Sequence, residues 1–179
     1  MKNQINVSVI ILFLTLLFNA CAFLFKDDEL WFDKRPYFGN DLRMNGYYYE
    51  KFSDNTISDN VVIIFFFSDG TMFTCSAGYS ISDIQLIDKA IPNLFDREKN
   101  SKLAWGVFAI SGKTIQYSGW GTSVGGGLPS FKGIGIIEND STFRITKHIN
   151  SDGREFEVNE IHHFRQFSPK PDSTNVFIK

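Results

Sequence analysis

The sequence predicts an all-β protein: about eight antiparallel strands closed into an up-and-down barrel with one short helix, a β-sandwich being the alternative use of the same strands. Three observations predict it. Aromatic residues make up 16% of the chain and include 19 Phe, a composition that favours strands. Apolar runs of strand length recur between the turn pairs Asp69-Gly70, Ser111-Gly112 and Asp152-Gly153, as hairpins require. One stretch of the barrel region, Ser82 to Pro92, carries helical spacing instead. Closing the sheet removes both edges and leaves an interior that holds side chains or one small ligand.

Taken in order, the first strand is expected from Leu42 to Phe52 and the second from Val61 to Phe67, the latter apolar throughout and so covered on both faces. With Asp69-Gly70 as a two-residue turn, Phe66 faces Phe73 and Ile64 faces Cys75. Val62, Ile64, Phe66, Phe73, Cys75 and Ala77 then share one side, and Phe65, Phe67 and Met72 the other. Ser82 and Gln85 have the spacing of a capping box, Ile84, Ile87 and Ile91 share a helical face, and Pro92 is expected to end the helix, which plugs a barrel end or packs on the sheet.

The next hairpin runs from Lys102 to Ile110 and Lys113 to Trp120. A turn at Ser111-Gly112 sets Phe108 against Ile115 and Gly106 against Tyr117, whose ring has room over a glycine, with Trp105, Val107 and Trp120 behind. Gly119 to Ser130 holds five glycines without the Gly-Lys-Ser/Thr ending of a phosphate cradle, and is expected to be a mobile loop at a sheet edge or barrel mouth. Phe131 to Ile137 pairs with Ser141 to Asn150, and Glu155 to Phe167 is the last strand before Pro169 and Pro171.

Ahead of this domain, Met1-Lys2 is followed by uncharged residues from Asn3 to Ala20, the layout of a secretory leader. As a helix, residues 5–20 rise roughly 24 Å, short of the ~30 Å hydrocarbon core. Leu16-Leu17-Phe18-Asn19-Ala20-Cys21 resembles the site read by the bacterial lipoprotein signal peptidase. The resemblance implies a lipid on Cys21 and membrane anchoring through it; each buried methylene contributes about 0.8 kcal/mol, and stable anchoring takes more than one chain. An ordinary secreted protein would instead pair Cys21 with Cys75; with Cys21 lipidated, Cys75 becomes a small buried hydrophobe. Lys26-Asp27-Asp28-Glu29 resembles the surface-export signal of Bacteroidetes lipoproteins and equally reads as a solvated tether. The expected organisation is a signal peptide over 1–20, lipidated cysteine and tether over 21–40, barrel over 41–168 and a C-terminal tail over 169–179.

A net charge of −2 and a pI near 5.9, with no arginine-rich run, point away from nucleic acid. Three histidines are present. His162 and His163, adjacent on a strand, point to opposite faces; a turn at Asp152 sets His148 opposite Phe156 and His162 opposite Thr142. The histidines read as dispersed, so neither a metal nor a cofactor is expected. No nucleophile elbow is present, Cys75 lacks an obvious base, and the acids gather in turns and tether, so no catalytic residue is assigned. A cryptic hydrolase would announce itself as a polar cleft on which carboxylates converge.

Gly46-Tyr47-Tyr48-Tyr49 on the first strand, eight strands and one helix resemble a divergent lipocalin-type barrel; the resemblance implies a late basic residue, Arg165, packed across the Tyr48 ring. Asn45-Gly46-Tyr47-Tyr48, Phe67-Ser68-Asp69-Gly70-Thr71, Trp105-Gly106-Val107-Phe108 and Phe167-Ser168-Pro169-Lys170-Pro171-Asp172-Ser173-Thr174-Asn175 are similar to uncharacterised Bacteroidetes-type lipoproteins, which implies anchoring and export. Asp140-Ser141-Thr142 and Asp172-Ser173-Thr174 resemble the O-glycosylation site of such exported proteins, and equally read as turns. The expectation is a lipid-anchored, non-enzymatic protein of the outer membrane, surface-exposed or on the periplasmic face. Its barrel would bind a small apolar or amphipathic ligand among Tyr48, Phe66, Phe73, Phe108 and Tyr117. The alternative is a packed-shut accessory module of an envelope protein complex, acting through an exposed patch of Tyr47, Tyr49 and Trp120.

Overall fold

Alternating side chains, short turns and β-rich composition produce eight strands, each antiparallel to the next, in a computed structural model that describes residues 26–51, 61–78 and 84–179. They are β1 (Gly46–Lys51), β2 (Val61–Phe66), β3 (Thr71–Ala77), β4 (Trp105–Ser111), β5 (Thr114–Trp120), β6 (Ser130–Asn139), β7 (Thr142–Asn150) and β8 (Glu155–Gln166). β8 pairs back onto β1, Tyr48 opposite Phe164, and closes the barrel. The sandwich alternative is therefore set aside. Cys21, Ser82 and the leader lie outside the described residues.

Two apolar clusters sandwich the sheet. Inside lie Tyr48, Ile64, Phe66, Met72, Phe108, Ile115, Tyr117, Ile137, Phe143 and Ile145. Outside lie Tyr47, Phe65, Phe67, Phe73, Trp105 and Trp120, beneath helix α1 (Ile84–Glu98). The helix packs on the barrel wall through Ile87, Ile91 and Leu94, and Phe95 meets Phe73 with ring centres 4.8 Å apart. It continues through Pro92 rather than ending there. Proline removes one helical hydrogen bond; burial of Leu94 and the Phe95 contacts beyond it hold the last turns in place.

The β2–β3 register differs from expectation by one residue. Phe67 N–H donates to Thr71 O and Gly70 N–H to Phe67 O, both at 2.9 Å, making Ser68-Asp69-Gly70 a three-residue loop with Gly70 at φ +89°. Gly70 is also pressed by the chain crossing above it, since a Cβ there would lie 2.1 Å from Arg35 O. Phe65 now faces Phe73 and Phe66 faces Met72. A one-residue slip exchanges the faces of a strand, so Phe73, Cys75 and Ala77 point outward and Met72 inward.

On β4–β5 the turn centres on Gly112-Lys113, pairing Phe108 with Tyr117 and Gly106 with Gly119. That two-residue slip preserves the faces. Tyr117 lies instead over Gly133, where a Cβ would come within 2.4 Å of the ring.

The chain ahead of β1 seals one barrel end. Leu42 is buried, Tyr37 packs edge-on to Phe108 at 5.9 Å, and Tyr48 Oη donates to the carbonyls of Arg43 (3.2 Å) and Asp140 (3.0 Å). Residues from Asp27 onward are no free tether. Asp27 accepts from Leu128 N–H and pairs with Lys102, Asp28 accepts from Ser130 N–H, and Trp31 N–H donates to Ser118 Oγ. The segment after β8 also docks: Ile178 is buried in the outer cluster, and the Lys170 ammonium donates to the Met44 and Phe66 carbonyls beside the Phe67 ring.

Candidate functional site

Strand alternation sends Tyr48 and Glu50 of β1 inward, and β8 contributes Glu160, His162 and Phe164 to the same side. The last pair of the β1–β8 ladder is Tyr49 opposite His163, and the neighbouring Glu50 and His162 approach to 3.8 Å. On β7–β8 the expected register holds where His148 faces Phe156, and then a shift between Ile145 and Lys147 moves His162 opposite Phe143 rather than Thr142. A bulge of this kind re-aims side chains locally. Its result is that Glu50, His148, Glu160 and His162 converge inside the barrel, above the aromatic half.

His148 Nε2 lies 2.9 Å from both carboxylate oxygens of Glu160. His162 Nε2 is 3.8 Å from Glu50 Oε2. The His162 ring stacks on Phe143 at 4.5 Å and 14°, and Tyr117 approaches the His148 ring edge-on at 6.1 Å. Side-chain exposure is 2% for His162, 13% for Glu50, 23% for Glu160 and 22% for His148. Both ring nitrogens of His162 are buried and have no hydrogen-bond partner among the described residues. Leaving such a group unsatisfied costs about 1–3 kcal/mol, so the arrangement calls for an explanation.

The electrostatics follow from burial. Desolvation, reinforced by the nearby Glu160 charge, pushes the Glu50 carboxyl up to about 7. Desolvation lowers the His162 imidazole to about 4 and keeps it neutral near pH 7. Glu50, Glu160 and His162 each offer a donor atom within 4.8 Å of the others. The reading of the histidines as dispersed and without metal-site geometry is thus corrected: two of the three meet the two carboxylates in one chamber.

The aromatic positions expected to line a ligand divide between two environments. Tyr48, Phe66 and Phe108 lie inside and pack on one another, with ring centres 5.7 Å apart for Tyr48–Phe66 and 4.7 Å for Phe66–Phe108. Tyr117 borders the polar chamber. Phe73 is on the outer wall under α1, the consequence of the register slip. The expected exposed patch is also corrected: Tyr47 and Trp120 are buried, donating to Asp88 Oδ1 and Asp28 O, and Tyr49 is half-buried. Arg165, opposite Tyr47, faces outward and clasps the Asp88 carboxylate of α1 rather than the Tyr48 ring. That pairing holds Asp88 below the usual carboxylate range.

A groove of about 420 Å³ lies outside the barrel, between the Asp27–Lys34 segment, Trp120 and the C-terminal residues. Another of about 340 Å³ separates Gly121, Thr122 and Pro129 of the glycine-rich loop from Asp152 and Arg154. Neither holds a buried polar group comparable to His162.

No family model, curated protein or solved structure matches this chain. The functional reading therefore rests on the chamber's own chemistry and on the sequence pattern of residues 1–21.

Proposed function

We propose that this is a lipid-anchored protein of the cell envelope, held in the outer membrane through Cys21, whose barrel binds a small ligand at its polar chamber without transforming it. The observation that carries the binding part is His162: a buried imidazole, unpartnered among the described residues, with one ring nitrogen within 4.8 Å of the Glu50 and Glu160 carboxylates. The packing of Tyr48, Phe66 and Phe108 on one another supports moving the expected ligand from the aromatic half to this polar one.

The docking of Asp27 supports a short anchor. From Cys21 to Asp27 the chain reaches at most about 20 Å, so a lipid on Cys21 keeps the barrel close to the bilayer. Glu50 and Glu160 could also serve a hydrolase, which needs converging carboxylates. What favours binding is their burial beside His162, which leaves little face for a bulky substrate to approach.

Two measurements test the proposal on the full chain expressed in its envelope. Cys21→Ser abolishes incorporation of an alkyne fatty acid and leaves uncleaved precursor; persistent labelling overturns the anchor. Native mass spectrometry of the detergent-extracted protein shows a noncovalent mass, beyond the lipidated chain, that is lost in His162→Leu. No mass beyond the lipidated chain, or one unchanged by that substitution, overturns the binding site.

A further inference from the structure

We propose that Glu50, Glu160 and His162 form a site for a divalent transition-metal ion of the zinc class, with His148 positioning Glu160. This rests on the chamber being the binding site and names its ligand.

The donor set decides the class. Calcium and magnesium prefer all-oxygen shells, whereas an imidazole nitrogen among carboxylates suits zinc and its first-row neighbours. Geometry is compatible. The three donor atoms lie within 4.8 Å of one another, and tetrahedral zinc, with bonds of about 2.0–2.1 Å, places its ligands roughly 3.4 Å apart. The required contraction is at most about 1.4 Å, within reach of the rotatable Glu50 and Glu160 side chains.

A second, independent observation points to a ligand. His162 is 2% exposed, and neither ring nitrogen has a partner among the described residues. Its ring is fixed against Phe143 with Nε2 turned to Glu50. An ion at this point would give that nitrogen a partner and would offset the mutual repulsion of two carboxylates held within one chamber.

His148 has the complementary role. Its Nε2 touches both oxygens of Glu160, the carboxylate–imidazole contact that orients ligands in metal sites. Three protein ligands leave a fourth position for water or a small anion.

The test is calorimetric titration of the metal-stripped full chain with ZnCl2, with CaCl2 as control, alongside the visible spectrum after CoCl2. The expected result is one Zn2+ per chain, no Ca2+ binding, an intense visible band with Co2+ and a Tm raised about 5 °C at a hundredfold excess over Kd. Glu50→Gln and His162→Gln each weaken Zn2+ binding at least tenfold; His148→Gln weakens it about tenfold while leaving the stoichiometry at one. Circular dichroism of each variant verifies the fold, and Glu50→Gln, nearly isosteric, serves if His162→Gln does not fold. Absence of Zn2+ binding, or binding indifferent to both ligand substitutions, overturns the metal. If Zn2+ does not bind but the envelope-extracted protein carries a His162-dependent organic mass, the metal assignment falls and the binding site stands; if neither appears, both fall.

Discussion

The two halves of the barrel interior are built from the same alternating strands and solve opposite problems. In the half sealed by Leu42 and Tyr37, Tyr48, Phe66, Phe108 and Phe143 contact one another, and the tyrosine hydroxyl has two carbonyl partners. Apolar surface is covered and the buried polar group is satisfied. One layer above, His162 is buried with both ring nitrogens unpartnered among the described residues, beside the partly buried Glu50. A barrel under selection for stability alone would fill this layer with hydrocarbon, since a half-satisfied polar group is worse than an apolar one. The contrast teaches where the fold is held together and where it gives up stability for function.

That contrast can be broken by substitution, and the largest effect is expected in the aromatic half. Phe66→Ala removes a fully buried ring with contacts to Tyr48, Phe108 and Phe143, and urea denaturation should show a loss of about 3–5 kcal/mol. A loss below 1 kcal/mol would mean this half is not the structural core.

Lys170 offers a pH test at the sealed end. Burial lowers its ammonium from 10.5 to about 8, so above pH 8 the folded chain sheds a proton that the unfolded chain keeps until about 10.5. Unfolded protein then binds more protons, and stability rises with pH across that window. Relative to Lys170→Met, the wild type should gain up to about 3 kcal/mol between pH 8 and 10.5, with no differential change between pH 6 and 7.5. A flat difference contradicts it.

At the boundary of the two halves, Gly133→Ala sets a methyl against the Tyr117 ring. Thermal unfolding should report about 1–3 kcal/mol of destabilisation, and Tyr117→Phe should not relieve it, because the clash is with the ring carbons Cζ and Cε1. In the polar half the sign reverses. Metal-stripped His162→Leu should be as stable as the wild type or more stable by about 1 kcal/mol, whereas Zn2+ stabilises the wild type alone. Destabilisation of the stripped protein by several kcal/mol would make His162 a structural residue.

The strands, their number and their sequential pairing were legible because alternation and turn pairs are local signals. Faces were less so. At Asp69-Gly70, a three-residue loop in place of a two-residue one exchanged the sides of Phe73 and Met72, whereas the two-residue error at Gly112-Lys113 left the faces unchanged. The chamber was legible only in part. Glu160 and His162, two apart on one strand, share a face by periodicity alone, and the sequence register already set His148 on that hairpin. Glu50 joins them through closure of β8 on β1, and the β7–β8 bulge completes the approach; neither is written in a local motif. The Asp27–Leu30 stretch was misread as tether because its charges look solvated until Lys102, Leu128 and Ser130 are brought beside them.

The central claim is that His162 is a built ligand rather than a satisfied core histidine. Imidazole 15N resonances of the full chain, assigned by His148→Gln and His163→Gln variants, test it most directly. The account predicts a neutral His162 ring at pH 7 without hydrogen-bonded nitrogens, whose signals move on adding one equivalent of Zn2+ while resonances of Phe66 and Phe108 stay in place. A protonated or already hydrogen-bonded His162, unmoved by Zn2+, would contradict it.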